Sequence, residues 1–119
     1  MIDGHGAPGR ILLDECVPRR FARELAGLRV SHVVTEGWAG RRNGVLLQLM
    51  RDAGFAVLVT VDRNLQFQQN IPISGIAVIV LHAASNRVAD LKPMVPALVT
   101  ALEQATPGRI VHVSSRDDG

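Results

Sequence analysis

The chain has 119 residues, a formal net charge of +2 and 47% hydrophobic residues. That length suits one domain able to bury most of its apolar surface without disulfides or a structural metal. Its apolar runs stop far short of the roughly 18 to 20 residues that cross a bilayer, and residues 1–9 lack the basic start and apolar stretch of a secretory signal. A cytoplasmic protein without membrane contact is expected.

Residues 1–9 read as a glycine-rich leader, 10–113 as one folded domain and 114–119 as a loose polar tail. The apolar run at 10–14 predicts a strand, and Pro18, in a first turn where a missing N–H is harmless, opens a helix to about Ala26. A second strand is expected over 29–35, followed by a loop around Trp38 from Thr35 to Gly44. Asn43 suits the cap of the next helix, whose Val45, Leu46, Leu49 and Met50 share an apolar face and which Gly54 ends. A third strand covers 56–61, and Asp62 opens a short polar helix to Asn70, broken by Ile71-Pro72. A fourth strand spans 76–81. Pro93 and Pro96 interrupt a helix over 88–105, either delaying its start or distorting its first turn. Gly108 stops it, and a last strand runs over 109–113. This alternation predicts an α/β fold with a mostly parallel five-stranded sheet and helices on both sides.

Two of the apolar runs end on acids, Leu12-Leu13-Asp14-Glu15 and Val59-Thr60-Val61-Asp62. Ligands of open α/β sheets bind beyond the carboxyl ends of the strands, so Asp14 and Asp62 are the leading candidates for catalysis and for metal binding. At about 4 Å and an effective dielectric near 20 they would repel by roughly 4 kcal/mol, which a divalent cation would relieve. Each also precedes a helix and could simply cap it. Glu36, after the second strand, could complete an acidic cluster or stay solvated. Glu15 could support the pair or point away from it. Thr60 is expected to pack or bond locally.

Asn43, Asn64, Ser85 and Asn86 offer neutral oxygens to water, phosphate or a hard ion, and each equally suits a cap or turn. Arginines dominate the cations. Arg19, Arg20, Arg23, Arg41, Arg42, Arg63 and Arg87 fall near strand ends or first helical turns, where bidentate contact would hold phosphates; a plain solvated surface explains them as well. Cys16 has no partner for a disulfide, and neighbouring acids disfavour its thiolate. The four histidines lack ligand spacing. With no tyrosine and one tryptophan, platforms for stacking bases are sparse. There is no phosphate-binding glycine loop and no Gly-x-Ser-x-Gly turn. A phospho-acceptor receiver domain would place a lysine after a late strand, whereas Lys92 lies inside or before a helix.

Leu-Leu-Asp-Glu-Cys-Val-Pro at 12–18, Thr-Glu-Gly-Trp-Ala-Gly at 35–40, and Val-Thr-Val-Asp-Arg-Asn-Leu at 59–65 with the Gln-Phe-Gln-Gln-Asn after it together resemble the small PIN-like proteins of bacteria. These are compact relatives of VapC-type toxin ribonucleases, and the likeness covers roughly residues 10 to 113. It implies a three-layer α/β/α sandwich with a Mg²⁺- or Mn²⁺-centred cluster of acids that cuts RNA, Asp14 being the acid of the first strand and Asp62 the acid of the Thr-x-Asp strand. An antitoxin protein is implied as a partner; Trp38 or Phe67, if exposed, would serve that contact or a homodimer, and local packing explains each as well. The chain departs from the family pattern at Asn43-Gly44-Val45 and at Asn64, where relatives often carry acids. Neutral ligands hold a hard cation less tightly, so the ion is expected to bind well only with RNA present. The alternative is an acid-depleted PIN-like domain acting as an RNA- or protein-binding module, and Glu36 separates the two, since hydrolysis needs another carboxylate near Asp14 and Asp62.

Overall fold

Ile11, Leu12 and Leu13 are all fully buried, the behaviour of a strand covered on both faces. They belong to β1 (Arg10–Leu13), which pairs in parallel with β2 (Val30–His32) on one side and β3 (Phe55–Thr60) on the other. β4 (Ala77–His82) lies beside β3, and β5 (Ile110–Ser114) forms the far edge. All five strands are parallel, in the order β2-β1-β3-β4-β5. The computed structural model describes residues 9–64 and 71–114. Residues 1–8, the segment 65–70 with Phe67 and Asn70, the tail from 115 and the Asn43 side chain lie outside the described residues, and with them most of the short helix expected after Asp62.

Alternation along the strands divides the core into two layers. Ile11, Leu13, Val57, Val59, Ile79 and Leu81 face a 3-10 helix (Arg19–Leu25) through Phe21 and Leu25, and also face α3 (Val88–Leu91) and α4 (Val95–Glu103) through Leu91, Leu98 and Leu102. Leu12, Leu58, Val78 and Val80 face α1 (Asn43–Asp52) through Leu46, Leu47 and Met50, and α2 (Ile71–Ser74) through Ile71. Burying each such side chain contributes about 1.5–3 kcal/mol. The result is a three-layer α/β/α sandwich. No helix among the described residues is long and apolar enough to cross a membrane.

Several elements depart from the sequence expectation for local reasons. The first helix is a 3-10 helix, whose rise of about 2 Å per residue returns the chain along a four-residue strand in seven residues. β2 is short because His32 Nδ1 accepts the Val34 N–H at 3.0 Å and turns the chain out of the ladder. The cap position of α1 is Arg42 rather than Asn43, and the buried stripe is Leu46, Leu47 and Met50, with Val45 57% exposed. Ile71-Pro72 opens α2; the helix it was expected to break lies mostly outside the described residues. The long helix begins at Val88 but passes through a 3-10 turn at Lys92–Met94 before α4, since Pro93 and Pro96 lack the N–H groups that would continue it.

Candidate active site

From β1 the chain moves to β2 on one side and then to β3 on the other, so the strand order reverses between β1 and β3. Beyond the carboxyl ends of two such strands lies the crevice where open α/β sheets take ligands. Asp14 directly follows β1 and Asp62 lies two residues past β3. The ladder runs up to this edge: Leu13 is level with Val59, and the Asp14 N–H donates to the Val59 carbonyl at 2.9 Å.

Thr60 joins the two acids. Its fully buried hydroxyl donates to Asp14 Oδ2 at 2.7 Å and accepts the Asp62 N–H at 3.0 Å. Asp14 Oδ1 accepts the Glu15 N–H at 2.8 Å. Asp62 is exposed and its Oδ1 accepts the Asn64 N–H at 2.9 Å. Among the described residues no donor meets Asp62 Oδ2. The Asn64 side chain is exposed, so this residue enters the site through its backbone.

Cys16 Sγ lies 3.4 Å from Thr60 Oγ1 and 3.7 Å from Asp14 Oδ2. Burial pushes its thiol above the ordinary value; the Asp14 charge acts in the same direction, and hydrogen bonding from Thr60 and the Val61 backbone offsets part of it. The thiol is therefore a protonated, packed group rather than a nucleophile.

The remaining candidates divide. Glu15 is exposed and accepts the Gly40 N–H at 2.9 Å, which ties the loop carrying Arg41 and Arg42 to the end of β1. Glu36 is not brought to the pair: Ser31 donates to its Oε2 at 2.6 Å, and Arg10, from the opposite end of β1, lies 3.8 Å away. That guanidinium is stacked 4.0 Å over Phe55, against which Trp38 packs edge-on at 5.8 Å, so the indole is half-buried. Ser85 donates to Asp90 and accepts the Arg87 N–H, the local bonding of a helix start. Asn86 Nδ2 donates to the Cys16 carbonyl at 3.0 Å and closes the β4 side of the crevice. Among the described residues no group of three or more His, Cys, Asp or Glu side chains is placed to hold a metal ion.

An open groove of about 570 Å³ runs from Glu15 and Cys16 to Asn86 and Arg87, with Arg20 on its wall. A second, of about 720 Å³, shares Pro18 and Arg20 with it and continues past Arg19 and Arg23 to His32 and Thr35 beside β2. Asp14 and Asp62 line neither groove; Glu15 and Cys16, next to Asp14 in the chain, connect the pair to the first. Arg63 lies on the other side of Asp62, where its guanidinium donates to the Ala83 carbonyl at 3.3 Å. Arg20 and Arg87 thus line the first groove, Arg19 and Arg23 the second, and Arg63 neighbours Asp62 in the chain.

Two features escaped sequence reasoning. The bridging role of Thr60 depends on the β1–β3 register, although a hydroxyl residue two places before a strand-end acid is a usable signal. The contact between His82 and His112 needed the adjacency of β4 and β5. No family model, curated protein or solved structure matches the chain.

Proposed function

We propose that this chain is a PIN-like, metal-dependent ribonuclease whose centre is the cluster of Asp14, Thr60 and Asp62. The observation that carries the reading is the Thr60 hydroxyl, which orients the Asp14 carboxylate and the Asp62 backbone together at the crevice where this sheet topology takes ligands. With Glu36 engaged by Ser31 and Arg10, the donor set is one carboxylate short of that expected for hydrolysis; the two that remain match the one or two that Mg²⁺ usually takes from protein when substrate phosphate completes its shell. Asp14 and Asp62 would hold the ion, which supplies Lewis acidity toward a phosphoryl oxygen and toward attacking water.

The rest falls to the chain's own residues. Thr60 and the Glu15 amide fix the Asp14 carboxylate. Arg20 and Arg87 line the groove beside it and suit bidentate contact with neighbouring phosphates. Asn86 holds the two walls of that groove together.

One observation favours a second reading, an RNA- or protein-binding module with too few acids to hydrolyse its ligand: Glu36 is engaged by Ser31 and Arg10 away from the pair. An antitoxin partner belongs to the proposal through the family likeness alone. Incubation of the purified protein with labelled RNA, in Mn²⁺ and in EDTA, decides between the two. Metal-dependent cleavage that Asp14→Asn and Asp62→Asn abolish, with unchanged unfolding curves, supports the nuclease. Cleavage by either variant removes the site assignment, and binding without cleavage selects the module.

A further inference from the structure

His82 and His112 stand on the neighbouring strands β4 and β5, where Val80 is level with His112 and His82 with Ser114. This diagonal brings His82 Nε2 within 2.8 Å of His112 Nδ1, with the rings 4.9 Å apart and inclined at 64°. One N–H fills such a contact, so it is compatible with a neutral pair or with a pair carrying one added proton, and not with two imidazolium rings. His112 is exposed and His82 half-buried. Arg63 reaches the same spot from the end of β3, its Nη2 donating to the carbonyl of Ala83, the residue after His82. That contact uses one of the five guanidinium donors.

Among the described residues, the permanent charge beside this cluster is the Arg63 guanidinium. Burial first, then the charges of Arg63 and His112, hold the His82 imidazole below its ordinary pKa. Asp62, beside Arg63 in the chain, turns its Oδ1 to the Asn64 backbone N–H, and no ion pair joins it to Arg63 among the described residues. The segment 65–70, outside the described residues, reads Leu-Gln-Phe-Gln-Gln-Asn and holds no ionisable side chain. A cation here would add charge beside a guanidinium that no carboxylate among the described residues pairs with; Asp117 and Asp118 of the tail after β5 lie outside them. An oxyanion would gain charge-assisted hydrogen bonds from the guanidinium and from an imidazolium.

We infer that Arg63, His82 and His112 form an oxyanion site on the β4–β5 side of the carboxyl edge, which holds a phosphate of the RNA chain and takes up a proton with it. The identification of the anion as an RNA phosphate rests on the ribonuclease reading; the site itself does not. Anion binding stabilises the protonated pair, so affinity rises as pH falls, by at most about tenfold per pH unit for one linked proton.

The test is a sulfate titration of the full chain in EDTA, followed through the histidine C2–H resonances between pH 5.5 and 8, where sulfate keeps its charge. Both imidazole signals should move with sulfate, the His82 titration should shift upward in its presence, and affinity should strengthen toward low pH. His112→Gln and Arg63→Gln, at exposed positions, should each weaken binding at pH 6 by roughly five- to tenfold. Affinity independent of pH, or unchanged in both variants, overturns the proposal. So does a pair that ignores sulfate but, in buffer free of EDTA, responds to Ni²⁺, which would make it a two-imidazole metal site. Sulfate binding as expected in a protein that fails to bind Mn²⁺ through Asp14 supports the anion site and overturns only the ribonuclease reading.

Discussion

Thr60 and Asp14 are 46 residues apart in the chain and meet through a hydrogen bond of 2.7 Å. The contact exists because β1 and β3 are paired with Leu13 opposite Val59, so the residues that follow each leave the sheet side by side. A buried hydroxyl with one proton and two lone pairs can donate to a carboxylate and still accept an amide. Thr60 does both, and thereby sets Asp62 relative to Asp14.

Thr60→Val keeps the shape and removes the hydroxyl, which leaves the Asp62 N–H without its acceptor. We expect a loss of about 1–3 kcal/mol of stability and weaker Mn²⁺ binding, while Thr60→Ser stays close to the parent in both. Urea unfolding and Mn²⁺ titration of the two variants check this; equal behaviour of Val and Ser would show that the bridge has no role.

Gly108 has a φ of +80°, and a Cβ there would lie 2.7 Å from the Pro72 carbonyl oxygen, whereas Gly40, with a φ of +84°, has nothing within 4 Å of the same point. Gly40→Ala should cost about 1–2 kcal/mol from the left-handed backbone alone. Gly108→Ala should cost a further 1–3 kcal/mol or so from overpacking at the junction of α2 and β5. Denaturant unfolding of both variants gives the comparison, and equal losses would contradict the role of the Pro72 contact.

His32 is buried and its tautomer is dictated by its partners. Nδ1 accepts the Val34 N–H at 3.0 Å, so Nε2 carries the proton and donates to the Val17 carbonyl at 2.6 Å. His32→Leu would strand both backbone groups, and we expect about 2–4 kcal/mol of destabilisation. A variant as stable as the parent would mean that both groups find other partners.

The Cys16 thiol is held above its ordinary pKa, chiefly by burial. Its neutral form is favoured by folding, so this contribution to stability is complete below the unfolded thiol's pKa and is lost as pH rises through the folded one. Two consequences follow. Iodoacetamide should label the folded protein at pH 7.5 several times more slowly than the urea-unfolded chain. Cys16→Ala should flatten the decline in stability above about pH 8.5. Labelling as fast in the folded state would contradict the burial argument.

The strands were readable because Ile11-Leu12-Leu13, Val57-Leu58-Val59 and Val78-Ile79-Val80 are uninterrupted apolar runs that fit only positions covered on both faces. Asp14 and Asp62 were readable as residues placed where such strands end. What a single side chain does with the backbone was not. The short β2 follows from the His32 bond to Val34, and the interrupted last helix from where Pro93 and Pro96 fall within their turns. Glu36 looked like a third acid because it follows β2, yet Ser31 and Arg10 draw it onto the α1 side of the sheet. The Thr60 bridge and the His82–His112 pair depend on register between strands, which no local pattern carries.

As proposed, Asp14 and Asp62, joined through Thr60, bind a divalent ion for action on RNA. Isothermal titration of Mn²⁺ into the protein and into Asp14→Asn, each with and without a short uncleavable RNA, tests it most directly. Binding that strengthens with RNA and disappears in Asp14→Asn is the predicted result. Binding equal in both proteins, or absent even with RNA, would contradict it.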